Sequence, residues 1–289
     1  MKTWPTIEYT RDQVAAAGKV VKEGEPDWEN FEGVDDEERV FAYASAMDDH
    51  NKALKVVNNW RAIHGFPLNT FQMRLRSCAR KVYPHALVSQ RIKRVVSIVG
   101  KMHAMDIKLP AIQDIAGCRA IVETVSQVRK LYTDHYHFDQ KTGDGLYEHH
   151  KGKKVNDYIM NPKSKTGYRS LHLVFEYCSE KDESYNGLKI ELQIRTKLQH
   201  AWSTAVETVQ RFTGQELKAG RGEKDWSDFF KLTSSAFALV EGTQVVEGVT
   251  SDSAELRNQI RERMKLLNVE AALSGFSTTI KVSKDRQKK

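Results

Sequence analysis

Two carboxylates lie against short apolar runs rich in β-branched residues. Asp114 opens "DIAGCRAIV" (residues 114–122), and Glu191 lies inside "IELQIRT" (190–196). In a strand, alternate side chains share a face. Ile190, Leu192 and Ile194 then point one way, and Glu191, Gln193 and Arg195 the other. An acid, an amide and a guanidinium in a row can hold a metal, read a base edge and contact phosphate. If neighbouring strands bring Asp114 and Glu191 together, the pair suits Mg2+, which is usually held by one or two protein carboxylates plus substrate phosphates. That is the outline of a phosphoryl-transfer site, where the protein mostly positions groups and neutralises charge. The plain alternatives are a surface turn and a half-buried strand with a solvated face.

Two further segments carry cations. "NPKSKTGYRSLH" (161–172) runs a Lys-rich turn through Gly167 into a strand. Lys163 and Lys165 suit phosphates and Tyr168 suits a planar base, or else the segment is a surface loop with a core tyrosine. "SQRIKRVVSIVGK" (89–101) reads as a helix. On it Lys93, Ser97 and Lys101 fall at i, i+4 and i+8, with Arg91 and Arg94 beside them. This cationic stripe lies next to Val88, Ile92, Val95 and Val99. Such a stripe faces solvent or a triphosphate, because Arg offers planar bidentate donors. No Walker motif, Rossmann fingerprint, HExxH or kinase signature occurs, so any ATP is held by another arrangement.

The elements that must position these residues follow from periodicity. Residues 1–35 read as polar and irregular. Helices are expected at 36–63, at 69–82 after the breaker "HGFPLN", and at 86–105. A strand follows at "GCRAIVETV", a helix at "SQVRKLYTDHYHF", and loop chemistry over 138–167 with one extended piece near Val155. Two strands, "YRSLHLVFEYC" and "LKIELQIRT", precede helices at 198–212, 225–242 and 252–268. The expected fold is α+β, a mixed sheet flanked by helices. On the helix after the last strand, Leu198, Trp202, Ala205 and Val209 form an apolar stripe. His200, Ser203 and Glu207 lie on its other side as candidates for a rim.

Composition sets the frame. The 289 residues hold 45 Lys plus Arg against 38 Asp plus Glu, a net charge of +7. That balance favours a polyanionic partner. Cys78, Cys118 and Cys178 are scattered and form no CxxC, which points to a reducing compartment. The first residues lack an apolar signal core and no run is long enough to cross a bilayer, so the expectation is a soluble, cytoplasmic protein.

The ordered set "RIKxxxSIxxK", "DIAGCR", "NPKxxxGYRSLH" and "ELQIRT" resembles the synthetase domain of the RelA/SpoT alarmone synthetase family over about residues 85–207. The resemblance implies a nucleotidyltransferase-like mixed sheet. It also implies transfer of the β,γ-pyrophosphate of ATP to the ribose 3′-hydroxyl of GDP or GTP, with Mg2+ as cofactor. Asp114 then matches a Mg2+ ligand, and Glu191 a second essential carboxylate, either metal ligand or base. Arg91, Lys93, Ser97, Lys101 and Arg119 match the ATP-binding set. Tyr168 matches the aromatic that stacks on guanine, and Lys163, His172, Gln193 and Arg195 match acceptor-side contacts.

The division expected is an N-terminal helical extension at 1–84, a synthetase-like domain at 85–215, and C-terminal helices with a basic tail at 216–289. Residues 1–84 are too short for the His-Asp hydrolase domain of long family members, so no hydrolase activity is expected. Some small relatives act as toxins on the 3′ end of tRNA or make adenosine alarmones, with an antitoxin as partner. For a tRNA acceptor, "HHKGKK" (149–154) and "RKLYTDHYH" (129–137) are the cationic surfaces available. A nucleotide- or RNA-binding module without activity is the remaining reading.

Overall fold

The computed structural model describes residues 4–31, 35–147 and 149–272. The basic tail expected at the C-terminus lies outside the described residues. The helices are α1 (Arg11–Glu23), α2 (Asp36–Ile63), α3 (Gly65–Val82), α4 (Val95–Met105), α5 (Val125–His135), α6 (Lys197–Thr213), α7 (Lys224–Val240) and α8 (Ser253–Leu266). The strands are β1 (Leu87–Ile92), β2 (Ala116–Val122), β3 (Lys151–Asp157), β4 (Leu171–Glu176) and β5 (Lys189–Thr196). They form one mixed sheet in the order β1-β2-β5-β4-β3. β2 and β5 run parallel, and the remaining pairings are antiparallel. The fold is the α+β sheet flanked by helices that the sequence pattern predicts.

Alternation builds the core. Ala116, Cys118, Ala120 and Val122 of β2, with Ile190, Leu192 and Ile194 of β5 and Leu171, Leu173 and Phe175 of β4, are buried on one face. α3 covers that face with Leu68, Phe71, Leu75 and Ala79, and α5 with Val128 and Leu131. α1 and α2 join the same apolar core through Val14, Val21, Val57, Trp60 and Ile63. The opposite face carries the polar members of the strands. Beyond it a second apolar cluster of Trp202, Val206, Val209, Trp226, Phe229 and Phe230 ties α6 to α7.

Three expectations are corrected. Residues 86–105 are not one helix: β1 is an edge strand paired to β2, Arg91 opposite Gly117, and only α4 is helical. Val88 and Ile92 are four apart, a spacing that fits one helix face and one strand face alike. Pairing with β2 decides between them. Residues 1–35 are not uniformly irregular, because α1 starts at a capping box in which Thr10 and Gln13 satisfy each other's backbone donors. Such a cap contributes about 1 kcal/mol. Burying Val14 and Val21 contributes about 1.5–3 kcal/mol each, so burial outweighs the cap. Finally, "HGFPLN" barely interrupts the helices: α3 begins at Gly65 and takes Pro67 into its first turn, where a missing N–H costs nothing.

His64, at the junction of α2 and α3, is 1% exposed, and its Nδ1 lies 2.6 Å from the Trp60 carbonyl oxygen. Burial pushes its pKa down to about 4, against a smaller upward pull from that hydrogen bond. The neutral ring therefore donates Nδ1–H to Trp60. The unfolded chain takes up the proton near pH 6.5, well before the folded one. Stability from this site is full above that pH and falls as the pH drops towards 4, by about 3 kcal/mol in all. Urea unfolding followed from pH 7.5 to 4.5 should show this loss. His64→Asn, which keeps a donor but does not titrate, should have a flatter pH profile than the wild type.

Candidate active site

Asp114 precedes β2, and its carboxylate is held from two sides. Lys93 Nζ and Lys101 Nζ each lie 2.7 Å from it, one on each oxygen. Burial alone would raise the carboxyl pKa, but the two ammonium groups hold it below its ordinary value. Lys93 stands in the two-residue link between β1 and α4, and Lys101 sits on α4. They converge on Asp114 instead of lining one helical stripe. Ser97 is exposed on α4 and lines neither cavity described below.

Gly117 pairs with Glu191 across the parallel strands. A Cβ at Gly117 would approach the Glu191 carbonyl oxygen to 3.0 Å, so the glycine keeps the floor between Asp114 and Glu191 low. Glu191 is enclosed by hydrogen bonds. Its Oε1 lies 3.0 Å from His172 Nδ1, and its Oε2 accepts from Gln193 Nε2 at 2.7 Å. Burial pushes the Glu191 pKa up, but the His172 and Gln193 hydrogen bonds bring it below its ordinary value.

These contacts belong to a closed ring. Arg195, 2% exposed, donates one Nη2 to Gln193 Oε1 at 2.6 Å and to the Tyr168 hydroxyl at 3.2 Å. The Tyr168 hydroxyl lies 2.7 Å from His172 Nε2. With Nδ1 of His172 protonated, each bond of the ring runs from a donor to an acceptor: Arg195 to Tyr168 to His172 to Glu191, and Arg195 to Gln193 to Glu191. Arg119 Nε adds a longer bond to Gln193 Oε1 at 3.4 Å.

Two cavities of about 190 Å³ each open on this face. The first is lined by Asp114, Gly117 and Glu191, the second by Lys163, Tyr168, His172 and Arg195. They share a wall of Arg91, Arg119, Gln193 and Glu207. Lys163 Nζ lies 4.7 Å above the Tyr158 ring and 5.6 Å from the centre of the Tyr168 ring. Of the residues matched to the family's site, all but Ser97 line the two cavities or form ion pairs at their edge, whereas Arg94 and Lys165 line neither.

Several lining residues were not singled out by sequence. Lys218, on the turn after α6, pairs with Glu207, a partnership eleven residues apart that no helical spacing announces. Glu207 itself, a rim candidate on α6, does line the site with Ser203, whereas His200 lines neither cavity. Trp202 packs in the core as its stripe suggests, with Nε1 donating to the Phe230 carbonyl oxygen at 2.8 Å. The stretches 129–137 and 149–154, named as surfaces for tRNA, line neither cavity, and α5 packs on the opposite face of the sheet.

The segment leading into β4 is fixed by α7. Gly167 has φ +78°, and a Cβ there would meet Lys231 Cα and Ser234 Cβ at 3.1 Å, so glycine is required on both counts. Ser234 Oγ donates to the Gly167 carbonyl oxygen at 2.5 Å. Buried Arg169 pairs with Glu241 at 2.6 Å, and Glu241 also accepts from Thr196 and Gln199. Among the described residues no group of three or more His, Cys, Asp or Glu could hold a metal ion. The carboxylates lining the first cavity are those of Asp114, Glu191 and Glu207, the last of them paired with Lys218.

Residues 90–215 match the family model described as a region found in RelA/SpoT proteins. Over 172 residues the chain is 26% identical to the GTP pyrophosphokinase YwaC of Bacillus subtilis (strain 168), covering 55% of this chain and 76% of that protein. Over 126 residues it is 32% identical to the GTP pyrophosphokinase YjbM of the same organism, covering 42% of this chain and 54% of that one. The small alarmone synthetase 1 from Bacillus subtilis, in the structure bound to its product pppGpp, superposes with a TM-score of 0.53 at 20% identity, covering 72% of this chain and 99% of that one. This last likeness establishes a shared fold.

The hydroxyl of Tyr168 closes the ring of hydrogen bonds around Glu191. Tyr168→Phe removes one acceptor from Arg195 and one donor from His172. It should cost about 1–3 kcal/mol, the usual penalty for stranding buried polar groups. Equilibrium urea unfolding of the two proteins would measure it.

Proposed function

We propose that this chain is a Mg2+-dependent pyrophosphokinase that moves the β,γ-pyrophosphate of ATP to the ribose 3′-hydroxyl of GDP or GTP, giving guanosine tetra- or pentaphosphate. The observation that carries the reading is the pair of cavities with a common cationic wall. Asp114 and its lysines lie on one side, Tyr168 on the other, and Glu191 is hydrogen-bonded to residues of both. The relatives named GTP pyrophosphokinase support the same activity.

The first cavity takes the donor. Arg91 and Arg119, with Lys93 and Lys101, meet the triphosphate. Asp114 is the principal magnesium ligand and Glu191 the second carboxylate near it; both are hard oxygen donors kept ionised, which suits magnesium. The metal neutralises charge that develops on the transferred group. The second cavity takes the acceptor, with its base against Tyr168 and its phosphates towards Lys163. Arg195 Nε and Nη1 are buried with no partner among the described residues, and an anionic acceptor satisfies such donors.

Glu191 accepts the proton of the 3′-hydroxyl. A carboxylate of lowered pKa is a weak base, which suffices because a loose phosphoryl-transfer transition state asks little of the base and much of positioning. His172 and Gln193 hold both carboxylate oxygens, so the orientation of the acceptor hydroxyl is set before the donor arrives.

The test is transfer of label from γ-labelled ATP with Mg2+, offering GDP, GTP, ATP and bulk tRNA in parallel. Label should move to GDP or GTP. Asp114→Ala and Glu191→Gln should each lower the rate by about 10³-fold or more, the scale of losing a preorganised charge-stabilising group. Transfer to tRNA alone would assign the acceptor to RNA. Transfer to none of the four would leave a binding module.

A further inference from the structure

We propose that Arg61, in the N-terminal extension, is a positioning residue for the donor cavity, acting through Lys93. This rests on the reading of Lys93 as a ligand of the ATP triphosphate. Lys93 belongs to neither β1 nor α4, so no helical turn fixes its peptide. Two long-range hydrogen bonds do so instead. Its N–H donates to the Ile115 carbonyl oxygen at 2.7 Å, next to Asp114. Its carbonyl oxygen accepts from Arg61 Nε at 2.9 Å. The same guanidinium donates Nη1 to Asn58 Oδ1 at 2.7 Å, which fixes its plane on the last turn of α2.

That turn is itself immobilised. Trp60 and Ile63 are buried beside Arg61, and His64 is bonded back to Trp60. The chain of support therefore runs from the core through α2 and the Arg61 fork to the Lys93 peptide, and so to a side chain only 11% exposed whose ammonium meets Asp114. Arg serves here because its planar fork can span two acceptors at fixed spacing, which an ammonium cannot do. The segment "NNWRAIHGFPLN" thereby acquires a purpose that its distance in sequence from "RIKRVVSIVGK" conceals.

If Arg61 acts through Lys93, the two substitutions cannot be additive. Calorimetric titration of the full chain with Mg2+ and a non-hydrolysable α,β-methylene analogue of ATP reads this directly. Arg61→Ala should weaken binding about tenfold, and Lys93→Ala more. The double variant should bind no worse than Lys93→Ala, since no ammonium remains to be placed. Lys55→Ala, on the exposed face of α2, should match the wild type. In steady state, Arg61→Ala should raise KM for ATP and leave KM for the acceptor unchanged. Should the alanine variant not fold, Arg61→Lys replaces it. It keeps the charge but cannot span Asn58 and Lys93, so the same weakening is expected.

Unchanged analogue binding by Arg61→Ala, or a full additional loss in the double variant, would overturn the proposal. The pyrophosphokinase reading fails separately. Normal analogue binding without transfer to any acceptor counts against the reaction and leaves the Arg61 comparison readable. Absence of analogue binding by the wild type counts against both.

Discussion

The site depends on β2 and β5 running in the same direction. In a sheet otherwise antiparallel, this one parallel pairing puts the start of β2 beside the start of β5. Asp114, just ahead of β2, is thereby close to Glu191, near the beginning of β5. Reversed, β5 would set the guanidinium of Arg195 where Glu191 stands, and the two carboxylates would part. The register then selects the residue between them. Gly117 is opposite Glu191, and the absence of a side chain there leaves room that a methyl group would take. A parallel pair needs a long crossover; here it contains α5, β3 and β4. The same crossover delivers Lys163, Tyr168 and His172 to the far side of β5, so one topological choice assembles both cavities.

Charge on this face is managed by pairing at fixed positions. Two buried carboxylates a few residues apart in space would each resist ionisation through desolvation and mutual repulsion. The first is offset by two lysines, the second by a histidine and an amide, and both end below their ordinary pKa. The second set is stiffer, because the ring through Arg195 leaves no bond that can rotate without breaking another. Such preorganisation suits chemistry in which the protein supplies position and field instead of a covalent partner.

Legibility in the sequence follows the range of the interactions. The alternation of "IELQIRT" announces that Glu191, Gln193 and Arg195 share a face, and they do, because strand geometry is local. The role of Arg195 is not local. In sequence it looks like a contact for ligand; the fold adds a second task, since it also spans Gln193 and Tyr168, a link that needs β4 beside β5. Lys93 and Lys101 do reach Asp114, but by a turn between strand and helix that four-residue spacing cannot distinguish from a continuous helix. Lys218 and Arg61 were silent because their partners are distant in the chain. α1 was legible in principle, since Thr10 and Gln13 form a capping box, but its polar surroundings masked Val14, Ala17 and Val21.

The matched region 90–215 does not hold its own site together. Gly167 is bonded to Ser234, Arg169 is paired with Glu241, and the Lys93 carbonyl takes its hydrogen bond from Arg61. All three partners lie outside the matched region, one on α2 and two at α7 or its end. The Arg169–Glu241 pair is especially constraining. Both side chains are nearly inaccessible, and removing either would leave a buried charge, at a cost of about 3–5 kcal/mol. The α7 end and the entrance to β4 are therefore held as one unit. The flanking helices thus clamp the site from two sides, α2 at Lys93 and α7 at the loop before β4. Sheet register decides which residues meet, and these clamps decide how firmly they are held.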